Sequence, residues 1–283
     1  MIEHFLTTYA ALFGALLVFG YVIPAGLFHW LIDVRRDTAL GARRIQARHP
    51  RPEDIQREVR HSLIALLLFA AYGVLLFKAY EAGLTAVYWD TASYPLWWTP
   101  ASFVAATVLH DTYFYWTHRL MHTRLFFTHF HAGHHRSLTP TPWAILSFQP
   151  LETLFQFGFF ALLIVFVPMH PGVLFAYFMF DGFVNAAGHC GHELVPSRYH
   201  SHRLIKFTNA VTHHDLHHSR FNYNFGQYFN IWDRVMGTFL DRKAQFCAGA
   251  VDGSGVVSAR GQSSCKNAST PAKYVDHDSE RNA

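Results

Sequence analysis

Three short stretches of the chain contain eight histidines: His118-Arg119-Leu120-Met121-His122, His131-Ala132-Gly133-His134-His135 and His214-Asp215-Leu216-His217-His218. Residues three and four positions apart lie on one face of a helix, about 5–6 Å apart between Cβ atoms. Each stretch can therefore present two or three imidazoles toward a common point. Neutral imidazole is a common ligand of transition metals. The spacing predicts a metal site, and eight histidines are enough for more than one ion.

The composition of the chain is typical of a protein embedded in a membrane. Of its 283 residues, 51% are hydrophobic and 15% are charged, against about 25% charged residues in soluble proteins. The first apolar run lacks the basic start and the cleavage pattern of a secretory signal. The net charge is +4, but basic and aromatic residues are not interleaved, so we expect no nucleic-acid partner.

The three cysteines, Cys190, Cys247 and Cys265, show no Cys-x-x-Cys spacing. Disulfide frameworks, cysteine-bound zinc sites and iron–sulfur clusters all need grouped cysteines. The sequence therefore argues against these three kinds of site.

Long apolar runs predict an all-α integral membrane protein, a helical bundle of about four to five hydrophobic segments. A membrane-spanning helix needs about 20 largely apolar residues, and the first three runs reach that length. The last two are shorter and are joined by turn residues, so we favour a hairpin-like pair over two thin spans. Pro24 is expected to kink the first segment. The expected segments are residues 5–32, 62–84, 95–116, 151–167 and 173–187.

The domain organisation expected from composition is a single membrane-embedded domain followed by a tail. The domain covers residues 1–243, with its catalytic core at about 99–240. After residue 243 the chain becomes rich in Gly, Ser, Asn and Asp, a composition that does not support a packed core. Residues 244–283 are therefore expected to form a flexible polar tail.

The placement of arginines predicts the orientation in the membrane. The loop after the first segment contains eight arginines between positions 35 and 60, whereas the connection 85–94 contains no lysine or arginine. Lys- and Arg-rich loops stay on the cytoplasmic side. Counting segments from this loop places 118–150 and 188–243 on the same side. We therefore expect a multi-pass protein with a cytoplasmic His-rich di-metal cap, in the inner membrane of a bacterium or the endoplasmic reticulum of a eukaryote.

Ten histidines are predicted metal ligands, and two aspartates are predicted catalytic residues. His189 and His192 join the clustered histidines because they follow the last apolar segment at the same membrane level. His213 is an alternative to His214, or a residue that orients it. The pair of His110 and Asp111 can form hydrogen bonds to ligand histidines. The predicted ligands are His118, His122, His131, His134, His135, His189, His192, His214, His217 and His218, and the predicted catalytic residues are Asp111 and Asp215.

The types of residue in and beside the histidine stretches limit which metal and which reaction are expected. Zinc proteases use His-Glu-x-x-His, but the first histidines of the three stretches are followed by Arg119, Ala132 and Asp215. The Glu-x-x-His pairs of soluble di-iron proteins are missing as well. A pair of iron ions held by histidines and used for O2 activation fits better. Electrons would come from a separate donor that docks on the cytoplasmic face. The arginine-rich loop is one candidate landing surface, although such loops more often only determine topology.

The order of these motifs between apolar segments resembles the sterol desaturase / fatty acid hydroxylase superfamily of integral membrane di-iron enzymes. The resemblance covers residues 99–240 approximately and includes the whole run 110–122 together with the two later histidine stretches. Pro140-Thr141-Pro142-Trp143, the run 221–227 and Trp232-Asp233-Arg234 look most like the C-5 sterol desaturase branch.

The resemblance implies an enzyme that uses O2 and two electrons to hydroxylate or desaturate a lipid. It implies ligand roles for the eight clustered histidines and for His189, whereas His192 stands where relatives often have tyrosine. It also implies a redox partner of the cytochrome b5, ferredoxin or reductase type. Sterol, fatty acyl, sphingoid and carotenoid substrates stay open. The alternatives are a membrane zinc hydrolase and a non-enzymatic metal transporter or sensor, whose ligands would lie near the bilayer midplane.

Overall fold

The computed structural model describes residues 2–35, 38, 40–46, 48–195 and 202–241, and within these ranges it contains helices and loops but no β-strand. The all-α prediction is confirmed for this part of the chain. The α-helices are α1 (Ile2–Ala15), α2 (Ile23–Val34), α3 (Pro52–Glu81), α4 (Trp98–Met121), α5 (Phe127–Phe130), α6 (Pro150–Phe166), α7 (Pro171–Gly188), α8 (Val211–Arg220) and α9 (Ile231–Val235). The described residues up to Phe239 form one compact unit. The expected tail, with Cys247 and Cys265, lies outside the described residues, and the domain boundary at 243 stays a prediction.

The irregularity expected at Pro24 takes the form of a π-helical segment, Leu16–Val22, between α1 and α2. Pro24 has no N–H to donate to the carbonyl four residues earlier, so the α-helical hydrogen-bond pattern cannot continue through this turn. Gly20 lies in the π-helical segment against α7. A Cβ atom at Gly20 would stand 2.3 Å from the ring of Phe178, so the close approach to α7 depends on glycine.

Two helical runs, Glu3–Val34 and Pro52–Glu81, are long and apolar enough to cross a membrane. The second begins ten residues before the segment expected from hydropathy. Pro52 suits the first turn of a helix, and the Asp54 carboxylate accepts a hydrogen bond from the Arg51 N–H at 3.2 Å, so a polar first turn precedes the apolar part. The number of membrane spans stays a prediction.

Helix α4 continues past the expected segment to Met121 and therefore contains His118, with His122 as its C-terminal cap residue. Helices α6 and α7 match the two short apolar segments closely and are separated by residues 167–170. The His170 side chain accepts a hydrogen bond from the Gly172 N–H at 3.1 Å and begins α7.

Two apolar cores hold the helices that lead to the histidines. In the first, Ala106 of α4 packs with Phe159 of α6 and Tyr177 of α7. In the second, Tyr21 and Leu66 join α7 to α3 and the π-helical segment. Burying a large apolar side chain contributes about 1.5–3 kcal/mol. These contacts fix α4, α6 and α7 relative to one another, which fixes the positions of the histidines at the ends of α4 and α7.

Candidate metal centre

Nine of the ten predicted histidine ligands form two groups of converging ring nitrogens. Within each group, the nitrogens all lie within 4.8 Å of one another. We call them the five-histidine group and the four-histidine group. The five-histidine group is His118, His122, His131, His135 and His217, and the four-histidine group is His134, His189, His214 and His218.

Each group combines residues from distant parts of the chain. His118 is on α4, and His217 is on α8. The second histidine stretch does not form an α-helix, because His131 follows the short helix α5 and His134 begins a 3₁₀ turn. A hydrogen bond of 3.2 Å from the His135 N–H to the His131 carbonyl still keeps these two residues one turn apart. His131 and His135 therefore point to the same side, as their spacing predicted, although this stretch is not a regular helix.

In the five-histidine group, neighbouring Nε2 atoms lie at hydrogen-bond distance. The Nε2 atoms of His118 and His131 are 2.9 Å apart, and that of His135 is 3.0 Å from His217 and 3.1 Å from His122. The opposite ring nitrogens of three members point outward to fixed acceptors. His118 Nδ1 donates to the Phe225 carbonyl at 2.8 Å, and His217 Nδ1 donates to the Tyr223 carbonyl at 2.7 Å.

These outward hydrogen bonds determine which nitrogen has the proton. A carbonyl oxygen can only accept, and neutral imidazole has a single N–H. The proton of His118 and His217 is therefore on Nδ1, and their Nε2 atoms present lone pairs to the centre of the group. His131 is oriented in the same way, because its Nδ1 lies 2.6 Å from a carboxylate oxygen of Glu152. Facing lone pairs repel one another unless a cation lies between them, so this donor set fits a metal ion.

The four-histidine group has the same arrangement with fewer outward anchors. His189, directly after α7, donates from Nδ1 to the Asn185 carbonyl at 2.8 Å. Its Nε2 lies 3.0 Å from His214 Nε2 and 3.5 Å from His134 Nε2. His218, one turn after His214 on α8, completes the group with its Nε2 3.1 Å from that of His214. This donor set also fits a metal ion.

Burial keeps the imidazoles in the form that binds metals. Removal from solvent lowers the pKa of His118 and of His189 to about 4. Burial is also the main cause of the lowered pKa of six further members, and the neighbouring imidazoles add to it. The pKa falls well below 6.5 in His131, His134, His135, His214, His217 and His218. The rings are therefore neutral near pH 7.

His192 is the one predicted ligand that the structure places outside both groups. It is buried, and its Nδ1 lies 3.0 Å from the Cys190 carbonyl. Helix α7 ends at Gly188, and Gly191 adopts a positive φ of 68°. His192 therefore does not continue the helical face that directs His189 inward.

The two predicted catalytic aspartates are not among the converging groups either. Asp111 accepts hydrogen bonds from the backbone N–H groups of Tyr228 and Phe229 at 2.7 and 3.0 Å, so it holds that loop. Asp215 is half-buried on α8 beside His214. His213 accepts a hydrogen bond from the Ala210 N–H at the start of α8 and belongs to neither group.

Sequence reasoning missed two acidic residues that support the ligands. Glu152 on α6 is completely buried and contacts His131. Asp233 on α9 accepts hydrogen bonds from the N–H groups of Phe225 and Gly226, both at 2.9 Å. It therefore holds the carbonyl that binds His118. The sequence signals for these residues are a lone glutamate in an apolar segment and the run Trp232-Asp233-Arg234.

Two cavities lie near the metal centre, and Asn185 and Gln227 line both of them. The first lies among the π-helical segment, α3, α4, α6 and α7. Its lining residue Phe114 packs on His118, and its lining residue Phe148 packs on His134, with ring centres 4.9 and 5.7 Å apart. The second is lined by His189 and His214, among other residues. We call the first the apolar cavity and the second the side pocket.

Comparison with known proteins agrees with this geometry. The fatty acid hydroxylase family matches residues 103–238, which include both histidine groups. Human lathosterol oxidase is 30% identical over 196 residues, which are 68% of this chain and 64% of that protein. A Delta(7)-sterol 5(6)-desaturase of Gibberella zeae is 28% identical over 228 residues, which are 80% of this chain and 66% of that protein.

Sphinganine C4-monooxygenase 2 of Arabidopsis thaliana is 33% identical over 188 residues, which are 64% of this chain and 70% of that protein. The match thus covers slightly less than two thirds of the two sterol-oxidising relatives and slightly more of the sphinganine-oxidising one. No solved structure matches the chain.

Proposed function

Because this chain belongs to the fatty acid hydroxylase family, we propose that it is a membrane enzyme that uses O2 and two electrons to hydroxylate or desaturate a lipid. The observation that supports this most strongly is the pair of histidine groups whose Nε2 lone pairs face one another. The likeness to C-5 sterol desaturases and to a sphinganine monooxygenase indicates a lipid with a ring or a long apolar chain.

The five-histidine group would hold one iron ion and the four-histidine group a second. When bound, the two ions would supply the redox chemistry that couples reduction of O2 to removal of hydrogen from a C–H bond. The protein would fix the ligand rings through their Nδ1 atoms. Such outward hydrogen bonds orient the ring and raise its basicity as a ligand.

Glu152 is the strongest of these supports. Its carboxylate accepts the Nδ1 proton of His131 and is itself completely buried. Asp111 and Asp233 support His118 indirectly. They hold the loop whose Phe225 carbonyl accepts the hydrogen bond that orients His118. We therefore assign Asp111 a positioning role, and Asp233 the same role.

The apolar cavity would bind the lipid. It is lined mostly by aromatic and aliphatic side chains, and two of its wall residues touch histidines of different groups. A lipid in this cavity would lie against the metal centre and would exclude water from it. Exclusion of water protects a strong oxidant from unproductive reduction.

We further propose that the protein spans the membrane several times with the metal centre on the cytoplasmic side. The two long apolar helices and the arginine-rich loop support this arrangement. A cytochrome b5-, ferredoxin- or reductase-type donor would then bring electrons to that face.

The proposal is tested by producing the chain in cells that lack it and analysing their lipids under ¹⁸O2. We expect a new hydroxylated lipid containing ¹⁸O, or a new alkene whose formation requires O2. The purified protein should contain two iron ions per chain. Replacement of His217 by Ala should abolish the product, while replacement of His129, exposed and outside both groups, should not. Zinc in place of iron together with product formation without O2 would instead support a hydrolase, and metal uptake without any product would support a transporter or sensor.

A further inference from the structure

The apolar cavity contains a hydrogen-bonded carboxylate that does not contact the metal centre. Asp181 of α7 lines the cavity. One of its oxygens, Oδ1, accepts three hydrogen bonds, from the Tyr228 hydroxyl at 2.6 Å, Asn185 Nδ2 at 3.1 Å and Gln227 Nε2 at 3.2 Å. In the described part of the chain no hydrogen bond reaches the other oxygen, Oδ2. An ionised carboxylate can accept about four hydrogen bonds, so Asp181 keeps acceptor capacity in an apolar cavity.

Two further polar groups line the cavity on other helices. His110 of α4 is stacked on Phe159, and its Nδ1 lies 2.6 Å from the Tyr177 hydroxyl and 2.9 Å from the Tyr228 hydroxyl. Among the described residues its Nε2 has no hydrogen-bond partner. Gln156 of α6 is buried, lines the same cavity, and its amide makes no hydrogen bond within the described ranges. Polar groups that line an apolar cavity and have unused hydrogen-bonding capacity can bind a polar atom of a ligand.

The chemistry of the three groups selects the kind of atom. A hydroxyl can donate to the free oxygen of Asp181 and accept from the amide of Gln156. The carboxylate of a free fatty acid would face the like charge of Asp181, which is unfavourable. We propose that Asp181, with Gln156 and His110, binds the hydroxyl end of the lipid substrate. This inference rests on the proposed function and narrows its substrate class to lipid alcohols.

The position of the hydroxyl site indicates how the lipid lies. His110 precedes His118 by eight residues on α4, and Asp181 precedes His189 by eight residues along α7. Eight residues of helix rise about 12 Å. The hydroxyl end is therefore held about two turns away from the ligand histidines on both helices. The apolar body of the lipid would then lie against Phe114 and Phe148, next to the metal centre.

The experiment measures binding to the metal-loaded protein in nanodiscs, separately from turnover. Tritiated octadecan-1-ol and tritiated 5α-cholestan-3β-ol are each displaced by three competitors: the unlabelled alcohol, the hydrocarbon with the same skeleton, and octadecanoic acid. We expect the alcohol to compete about ten- to a hundredfold better than its hydrocarbon, as for a hydrogen bond to a charged group. Octadecanoic acid should compete no better than octadecane. The alcohol that binds more tightly distinguishes a sterol from a linear lipid.

Each lipid also partitions into the nanodisc bilayer, and this partitioning is the same whichever protein variant is present. Comparing variants therefore cancels its contribution to the measured affinities. Asp181→Asn keeps the shape and an acceptor oxygen but loses the charge, so the ratio of alcohol to hydrocarbon affinity should fall about tenfold or more. Gln156→Leu, on a different helix, should lower the ratio roughly two- to tenfold. Phe178→Leu trims only the apolar wall and should weaken alcohol and hydrocarbon alike. Metal content and thermal unfolding identify variants that have not folded, and either polar variant alone is sufficient for the test.

The proposal is overturned if neither alcohol binds saturably, if alcohol and hydrocarbon compete equally, if octadecanoic acid competes best, or if the ratio stays unchanged in a folded polar variant. The proposed function has a different readout. Tight and selective binding of an alcohol without O2-dependent turnover would count against the oxidation chemistry, whereas turnover without selectivity would count only against the hydroxyl site.

Discussion

The two histidine groups differ in how firmly the protein holds them. In the five-histidine group, three rings are fixed from outside by Glu152 and by the carbonyls of Phe225 and Tyr223. In the four-histidine group, the described residues supply one anchor of this kind, the carbonyl of Asn185. The side pocket also reaches the four-histidine group at His189 and His214. The five-histidine group is thus held by more outward contacts, and the four-histidine group lines the side pocket.

This difference suggests that the two groups differ in metal affinity and in the rate at which they exchange ions. A preorganised ligand set loses little freedom when it binds an ion, so the five-histidine group is expected to bind its metal more tightly. The four-histidine group can exchange ions or small ligands through the side pocket. The following predictions test whether the two groups differ in this way.

The largest effect is expected from removing one ligand from each group. His217→Ala should remove the ion of the five-histidine group and lower turnover by more than a hundredfold, beyond the 10- to 100-fold typical of losing an outer partner. His214→Ala should abolish turnover as well but leave the other ion in place. Iron and turnover are measured on the same preparations, with His129→Ala as control. Loss of both ions in His214→Ala would show that the groups do not bind metal independently.

The next effect concerns Glu152. Glu152→Gln removes the charge that holds the proton on His131 Nδ1, so metal affinity at the five-histidine group should fall about 10- to 100-fold. The four-histidine group should be unaffected. Competition with a chelator measures both affinities, and Glu81→Gln, exposed on α3, is the control. An equal loss at both groups would contradict the assignment of Glu152 to one of them.

A pH effect is expected in the metal-free protein. The pKa values of His118 and His189 are about 4, against an unperturbed 6.5, so the unfolded chain binds more protons between these values. Stability is therefore complete above about pH 6.5 and falls as the pH decreases toward 4, by up to about 1.4 kcal/mol per pH unit for each such histidine. Thermal unfolding at several pH values measures this slope, and metal-loaded protein should show one at least as steep, because a bound ion keeps the ligand rings unprotonated. Stability that rises on acidification would refute the burial of neutral rings.

The smallest effect is kinetic. A chelator should remove iron in two phases, the faster from the four-histidine group, because that group borders the side pocket. In His214→Ala the fast phase should disappear and the slow phase should keep its rate. Release in a single phase from the unaltered protein would mean that the two groups are equally accessible.

The sequence predicted the parts of the fold and site that depend on local patterns. Apolar runs gave the helices, with ends that shifted where polar turns extended them, as at Pro52 and Met121. Repeated histidine spacing identified the nine residues that converge. The assignment of each histidine to a group could not be predicted, because neighbours such as His134 and His135 belong to different groups.

The supports of the site were harder to predict, because they depend on contacts between distant residues. Glu152 reaches a histidine 21 positions away, and Asp111 bonds a loop more than a hundred positions later. His192 failed to converge because the chain turns at Gly191 after the helix has ended. A spacing rule that assumes a continuous helix does not include that turn.

The division of adjacent histidines between the two groups limits how this protein can evolve. His134 and His135 face different groups, and so do His217 and His218. On α8, inserting or deleting one residue between His217 and His218 would rotate the following side chain by roughly 100°. The same change between His134 and His135 would displace His135 from its group, so either change would disturb both ions at once. The loops carry no such restriction, whereas α6 and α7 do, because they position Glu152 and His189. Length variation among descendants of this sequence should therefore accumulate in the loops between helices and be absent within the histidine stretches.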